Sequence, residues 1–546
     1  MENKCEKGKA KSTSRLFFTG VFILTISNVL VKAVGLISKI VLNRVVGSIG
    51  AGYYSSAYEI YAYLYVISTA GLPVALSILV SRCRARGRFK EAKKIFDISF
   101  VVFLVIGLIF SSLMIAFSDK IAAFIGAPQT SLCIISIAPT MLFVCLSSCM
   151  RGYFQGYQLM QPTGTSQLIE AACKVGIGVA FAFFAKKQGY SDYVIAAYTI
   201  LGVTIGVLLG MIYLYIKKLF FKEQSYNLEY SQHECKDVRS RKELLKELFK
   251  IAIPITLSSS VLSLTTIIDT LMVQNRLLST GMNEISVRVY YGDYTSLVIS
   301  MFNLPTIFFY PIANALVPLI SATREEGDEG KSEKIRTLSL RVITLISMPC
   351  AIGLGIFSYP ILDLLMFKQS SVERAAPWLS VASVSVLFLG IIAATNTFLN
   401  ASGKQKLPII SMIAGATAKL VSNYFLLGKV GMYGAPISTV ICYICAATLN
   451  VYFVLKYVGR LPSIIKIFGL PFLISILSIG SAAGIFILTG RIIPQKIATI
   501  VSIVLAIVLY VVLLFVFKGI TKEDLHAIPG GNKAIKILKK LKIPIK

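Results

Sequence analysis

Apolar runs of about 20 residues, each followed by a short polar stretch, recur from one end of the chain to the other. A helix needs roughly that length to cross the hydrocarbon core of a bilayer. The runs predict spans near 16–40, 53–80, 95–117, 130–150, 163–185 and 193–216, then near 251–273, 293–319, 338–358, 378–399, 408–427 and 434–455. A last pair lies near 465–488 and 497–517. The pattern predicts an all-α polytopic membrane protein of about 14 transmembrane helices. Its divisions would be a tail (1–15), a six-helix bundle (16–216), a basic linker (217–250), a second six-helix bundle (251–455), the extra helix pair (465–517) and a basic tail (518–546). With the first tail on the cytoplasmic side, the inner segments carry several times as many Lys and Arg as the outer loops. Positive charge stays inside, so both termini are expected in the cytoplasm.

The chain also repeats itself. Ala75-Leu76-x-x-Leu79-Val80-Ser81-x-x-Arg84-x-x-Gly87 returns as Ala315-Leu316-x-x-Leu319-Ile320-Ser321-x-x-Arg324-x-x-Gly327. Lys94, Ile95 and Ser99 match Lys334, Ile335 and Ser339 at the same offset, and Pro162 and Lys174 are echoed by Pro408 and Lys419. Both echoes shift the chain by six spans, an even number, so the two halves insert in the same direction. Parallel repeats of this kind are related by an axis along the membrane normal and suit a transporter that rocks about a central site.

Composition removes other classes. The 546 residues are 55% hydrophobic and only 15% charged, with a mean hydropathy of +0.75; soluble domains carry about 25% charge. The net charge of +29 is spread over short loops and forms no basic domain, so nucleic acid is not an expected partner. Cys442-x-x-Cys445 and the pair Cys145 and Cys149 read as small apolar packing residues within spans. His233 and His526 have no ligand-spaced partners, so neither a metal site nor a catalytic triad is expected, and the chain is not expected to be an enzyme. The first apolar stretch is too long for a secretory signal and lacks a small-residue cleavage site.

Ionisable residues inside spans are the candidate functional groups, because each costs on the order of 2.5–3.5 kcal/mol at a helix centre. Lys32 and Lys39 share a face of the first span. Lys174 and Lys419 each sit about 16 Å from a cytoplasmic helix start and are related by the repeat. Glu170 is one turn from Lys174, so the two can neutralise one another as a helical pair. Glu59 lies in the second span and Asp269 in the outer part of the seventh, with Arg276 beyond it. Lys39, Glu59 and Asp269 can equally snorkel to the outer interface. Together the lysines predict a cationic cavity for an anionic cargo. Gly71-Leu72-Pro73 and Asn303-Leu304-Pro305 place helix breakers in spans two and eight. Tyr53, Tyr54, Tyr58, Tyr61, Tyr63 and Tyr65 crowd the second span; the first three suit an interfacial belt, and the later ones either pack or line a cavity that meets sugars.

Three stretches carry a family resemblance: Gly35 to Lys39 through Val46-Gly47 and Gly52-Tyr53-Tyr54; Tyr58-Glu59-Ile60-Tyr61 and Ala70 to Ser77; and Arg151-Gly152-Tyr153-Phe154-Gln155-Gly156 followed by Pro162, Gln167 and Glu170. In these the chain resembles the SpoVB/MurJ-type flippases, of the polysaccharide transporter branch of the multidrug/oligosaccharidyl-lipid/polysaccharide superfamily. The resemblance implies a V-shaped, alternating-access pair of six-helix bundles in a bacterial cytoplasmic membrane. It further implies movement of a polyprenyl-diphosphate-linked glycan such as lipid II to the outer leaflet, for peptidoglycan or polysaccharide synthesis, with the extra helix pair serving the lipid tail. With Arg151 of the third motif, the substrate-binding candidates are Lys32, Lys39, Lys174, Lys419 and Arg151. The coupling or gating candidates are Glu59, Glu170, Asp269 and Arg276. No cofactor is expected; coupling to Na⁺, H⁺ or the membrane potential is open, and the expected partners are the lipid-linked substrate and membrane lipids, with the protein acting as a monomer. Lipid II specialists use several cavity arginines, whereas this chain has lysines in its first span and no cation in the middle of span eight, which leaves the headgroup open. The alternative within the superfamily is a multidrug cation exporter.

Overall fold

The structure is a computed structural model, and it describes residues 30–31, 34–35, 41, 44–85, 88–221, 239–310, 312–313, 320, 329–365, 369–459, 461, 465–490 and 492–517. Lys32, Lys39, most of the first expected span, the middle of the linker, both tails and, but for Ile320, the repeated stretch 315–327 lie outside the described residues. Among the described residues there is no strand, and ten stretches are long and apolar enough to cross a membrane. One of them, Lys406–Tyr457, is 52 residues long and is interrupted at Gly431, so it carries two expected spans. The seventh expected span falls within a 39-residue helix, Arg241–Ser279. The chain forms two compact units, Met1–Asn275 and Arg276–Lys546, whose boundary falls inside that helix.

The first unit contains α1 (44–69), α2 (Leu72–Ala85), α3 (Phe89–Ala116), α4 (Ser118–Phe124), α5 (Ser131–Gly156), α6 (Gln161–Lys187), α7 (Asp192–Leu219) and most of α8 (Arg241–Ser279). Helix α5 is buried along most of its length and packs on α2, α3 and α7, while α6 lies along α7. Ser and Thr hydroxyls inside these apolar helices bond the carbonyl one turn back, as Ser56 does to Gly52 and Thr199 to Ile195. Such internal bonds let polar side chains sit where no water can serve them.

The chain bends at Ala70–Gly71, just before Pro73. Pro73 has no N–H to continue the hydrogen bonds of the preceding helix, and the bend is also clamped. A Cβ at Gly71 would lie 2.1 Å from the Ala252 carbonyl oxygen of α8, and one at Gly152 of α5 would lie 2.6 Å from the Pro73 carbonyl oxygen. Two backbones therefore approach the break through glycines. The Asn303-Leu304-Pro305 segment likewise interrupts its helix, with a turn at Leu304–Pro305.

Both described ends of the linker are fastened to the first unit. Phe221 packs edge-on to Tyr153, Phe154 and Tyr157, and the Lys218 ammonium sits 4.0 Å from the Tyr153 ring centre. At the other end Arg239 hydrogen-bonds Glu91 and Glu247, and its carbonyl accepts from Lys94 Nζ at 2.7 Å. Glu91 is 1% exposed and also faces Arg88 at 3.5 Å. A carboxylate so deeply buried persists because cations meet it from two elements.

The second unit holds the end of α8, then α9 (Glu284–Asp293), a π-helical turn Tyr294–Val298, α10 (Ile299–Asn303), α11 (Glu329–Ile356), α12 (Ser358–Leu365), α13 (Gln369–Ala401), α14 (Lys406–Val430), α15 (Gly434–Tyr457), α16 (Leu470–Thr489) and α17 (Gln495–Val516). Its internal packing repeats that of the first unit: α11 on α13, α13 on α15 and α14 on α15 echo α3 on α5, α5 on α7 and α6 on α7. The extra pair, α16 and α17, pack on one another. Leu345 of α11 contacts Ile474 and Leu514, and Tyr510 Oη donates to the Leu345 carbonyl at 2.8 Å. Helix α17 leaves Ile500, Val504, Ile507 and Val511 exposed. An apolar surface of that extent is stable against lipid tails.

Candidate functional site

A cavity of about 360 Å³ lies within the first unit, bounded by α1, α5, α6 and α7 and touched by Val31 and Gly35. Its position follows from helical spacing. On α6, Gln167, Glu170 and Lys174 recur at i, i+3 and i+7 and share one face; on α1, Tyr58, Tyr61 and Tyr65 do the same. Helix α5 adds Arg151. The three helices present these groups to one space, although Tyr58 and Lys174 lie more than 100 positions apart in sequence.

Glycines of α7 set how far α6 can reach. Gly202, Gly206 and Gly210 stand one turn apart, and a Cβ on each would collide with α6. It would lie 2.4 Å from Gly178 Cα, 2.9 Å from the Glu170 carbonyl oxygen and 2.6 Å from Glu170 Cγ, respectively. Small residues at this spacing allow two helix backbones to touch in a membrane. The stripe therefore fixes the register of Glu170 and Lys174.

Arg151 is 7% exposed and doubly held. Its Nε donates to Ser166 Oγ at 3.0 Å and its Nη2 to Glu170 Oε1 at 2.5 Å. Ser166 in turn donates to the Thr163 carbonyl at 2.9 Å, which fixes its lone pairs toward the guanidinium. Lys174 Nζ donates to Tyr58 Oη at 3.2 Å and lies 4.3 Å from the centre of that ring. The expected i, i+4 pairing of Glu170 with Lys174 thus gives way to a pairing across helices. A carboxylate gains more from the directed donors of a guanidinium, and the ammonium finds a cation–π face instead. The result is a cavity with two cations, one carboxylate already committed to one of them, and a wall of tyrosines.

The remaining candidates lie elsewhere. Glu59 is half-buried on α1 and does not line this cavity. Asp269 is 5% exposed on α8, in a buried polar stretch with Thr265, Thr270 and Gln274; Gln274 Nε2 donates to Ser56 Oγ at 2.9 Å. Burial of Asp269 sets aside the snorkelling alternative for that residue. In the second unit, Arg276 donates to the Tyr424 carbonyl at 3.0 Å and stacks over the Tyr424 ring at 4.4 Å. Lys419 is 2% exposed on α14, with Asn423 buried one turn on.

The repeat is chemically unequal. At the offset that relates Lys174 to Lys419, Arg151 corresponds to Asn396 and Glu170 to Gly415. Asn396 Oδ1 accepts from Asn450 Nδ2 at 2.8 Å, an amide pair where the first unit has an ion pair. A Cβ at Gly415 would lie 2.7 Å from the Cys442 carbonyl oxygen, so that position has no room for a carboxylate. Sequence reasoning identified the charges and left Tyr61 and Tyr65 open between packing and a cavity wall, but missed the glycine stripe of α7 and the cavity-facing role of Gln167 and Tyr58. The four-residue spacing of Gly202, Gly206 and Gly210 was the available signal.

A family model described as polysaccharide biosynthesis protein matches residues 17–324, more than half of the chain. The chain belongs to the polysaccharide biosynthesis protein family. Among members and relatives, stage V sporulation protein B of Bacillus subtilis is 27% identical over 94% of this chain and 98% of its own length. The lipid II flippase MurJ of Bacillus subtilis is 24% identical over 81% of this chain and 82% of its own. A solved structure of lipid II flippase MurJ in an inward closed conformation superposes with a TM-score of 0.70 at 17% identity, covering 91% of this chain and 98% of that one. A second model, MatE, matches residues 254–425, and an inward-facing multidrug transporter of the MOP superfamily aligns with a TM-score of 0.64 at 16% identity, over 79% of this chain and 97% of that one. The fold of this polysaccharide biosynthesis family member is therefore that of multi-pass membrane transporters of the MOP superfamily.

Proposed function

We propose that the protein is a flippase that carries a polyprenyl-diphosphate-linked glycan precursor, lipid II or a similar molecule, from the inner to the outer leaflet of a bacterial cytoplasmic membrane. One observation carries this reading: Arg151 and Lys174 line a single cavity of the first unit. A diphosphate headgroup cannot cross hydrocarbon unaided, because stripping its water without replacement is prohibitive. Fixed cations replace that water, while the polyprenyl tail stays in lipid. Lys174 acts as a compact point charge, and Arg151 offers a fork that matches phosphoryl oxygens.

Glu170 gives the cavity an internal anion. Its carboxylate occupies, on Arg151, the place a phosphoryl oxygen would take. Entering cargo displaces it, and departure of the cargo returns it, so Arg151 is never left buried and uncompensated. This exchange makes Glu170 the gating residue of the cycle, with uptake of H⁺ or Na⁺ by the released carboxylate as the coupling step. Lys32 and Lys39 are proposed as further cations for the cargo and Lys419 as the corresponding residue of the second unit. Glu59, Asp269 and Arg276 are proposed to act in gating. Both termini are proposed to lie in the cytoplasm, and the protein is proposed to work as a monomer without covalent chemistry.

The multidrug exporter reading is favoured by the MatE match and by the tyrosines and Glu170, which can face an organic cation. Transport in reconstituted vesicles separates the two. The flippase reading expects movement of a fluorescent polyprenyl-diphosphate glycan that is lost in Lys174→Met. Movement of ethidium with no movement of the lipid would sink it.

A further inference from the structure

The cavity holds more than an anion needs. Along α1, Tyr54, Tyr58, Tyr61 and Tyr65 form a continuous ladder, with successive ring centres 5.8, 5.7 and 6.0 Å apart. Tyr58 belongs to the anion end, since Lys174 takes both its hydroxyl and its face. Tyr65, half-buried, lies two turns further along α1 and still lines the cavity. On the facing helix, Gln167 lies two turns from Lys174, beyond the Arg151–Glu170 pair. At 1.5 Å per residue, each helix separates its two ends by about 10 Å.

Gln167 supplies the independent observation. Gln167 lines the cavity, and its Oε1 is buried just behind that wall with no hydrogen-bond partner among the described residues; the broad terminal torsion of a glutamine lets the amide turn that oxygen to the cavity. A buried acceptor without a donor is costly. A diphosphate is all acceptor and cannot satisfy it. Hydroxyl or acetamido N–H groups can. The same groups ring the edge of a pyranose whose C–H faces suit an aromatic platform, and a tyrosine couples such a face to a hydrogen-bonding tip. The cavity volume, about 360 Å³, is at the lower end of the roughly 300–1,000 Å³ usual for ligand sites. It suits a diphosphate with the first sugar attached to it.

We infer that Tyr61, Tyr65 and Gln167 form a sugar subsite that reads the first glycosyl residue of the cargo, separately from the cations that hold its diphosphate. Tyr61 and Tyr65 provide the stacking wall, and Gln167 accepts a hydrogen bond from a sugar hydroxyl or amide. The inference rests on the flippase reading above and adds selectivity to it: bare polyprenyl diphosphate is discriminated from the glycosylated lipid.

The test is equilibrium binding to the full-length protein in nanodiscs, with two probes: a polyprenyl diphosphate, and the same lipid carrying one N-acetylhexosamine on its diphosphate. Wild type should bind the glycosylated lipid about tenfold more tightly, the order expected for one satisfied buried acceptor. Gln167→Leu and Tyr65→Leu should each erase most of that difference and leave the affinity for bare diphosphate lipid within twofold, which also shows that the variants fold. Tyr65→Phe, which keeps the ring, should retain at least half of the preference on a logarithmic scale. Equal wild-type affinity for the two lipids overturns the inference and leaves the flippase reading standing. Parallel loss of both lipids in Gln167→Leu and Tyr65→Leu also overturns it, since a packing role predicts that. Failure of wild type to bind either lipid overturns the inference together with the reading on which it rests.

Discussion

The Arg151–Glu170 pair offers the sharpest test of the cavity's electrostatics. The two side chains are 8% and 19% exposed and meet at 2.5 Å. Removing one member of a fully buried pair costs about 3–5 kcal/mol, because the other charge is left uncompensated. Glu170 opens partly to the cavity, so screening reduces that figure, and Arg151→Met or Glu170→Gln alone is expected to cost about 2–3 kcal/mol. The double variant removes both charges, and its cost should fall below the sum of the singles by about 1–2 kcal/mol. The assay is chemical denaturation of the four proteins in one detergent, followed by far-UV circular dichroism and by loss of monodisperse elution. Binding provides a second readout. Glu170→Gln frees Arg151 from its internal anion, so diphosphate lipid should bind more tightly while flipping slows. Strict additivity of the two substitutions, or weaker binding in Glu170→Gln, would refute the exchange of carboxylate for phosphate.

Other expectations follow from packing and from the linker anchor. Gly206→Ala would place a methyl 2.9 Å from the α6 backbone and should destabilise by about 1–3 kcal/mol, whereas Gly176→Ala, with nothing within 4 Å, should be neutral in the same denaturation assay. Gly71→Ala should be at least as damaging, because the Ala252 carbonyl would lie 2.1 Å from the new Cβ; melting temperature and expression level report it. Glu91→Gln leaves Arg88 without its carboxylate and Arg239 with Glu247 alone and should cost about 1–3 kcal/mol, while Glu243→Gln on the exposed start of α8 should cost less than about 1 kcal/mol.

Much of the architecture was legible because the bilayer imposes a coarse rule: a span is about 20 apolar residues, and charges within it stand out. Lys174 and Glu170 could be found that way, and the break near Pro73 was signalled by its Gly-Leu-Pro sequence. The partner of Glu170 could not be found, since helical periodicity ranks Lys174 one turn away above Arg151 on another helix. Which tyrosines face the cavity was hidden for a related reason. Six of them crowd residues 53–65, and only the packing of α1 against α5 and α6 separates wall from core. Nor did the lysine repeat announce its asymmetry. Lys174 and Lys419 match in sequence, but Gly415 and Asn396 give the second unit a different polar pairing.

The most direct test of the central claim is flipping itself. Wild type, Lys174→Met and Arg151→Met are reconstituted into vesicles with a fluorescent polyprenyl-diphosphate glycan, and the fraction reaching the opposite leaflet is followed by dithionite quenching. The account predicts transport by wild type, loss of at least tenfold in the initial rate in each variant, and no transport of ethidium. Wild-type rates in both variants would contradict a cationic cavity that carries the diphosphate.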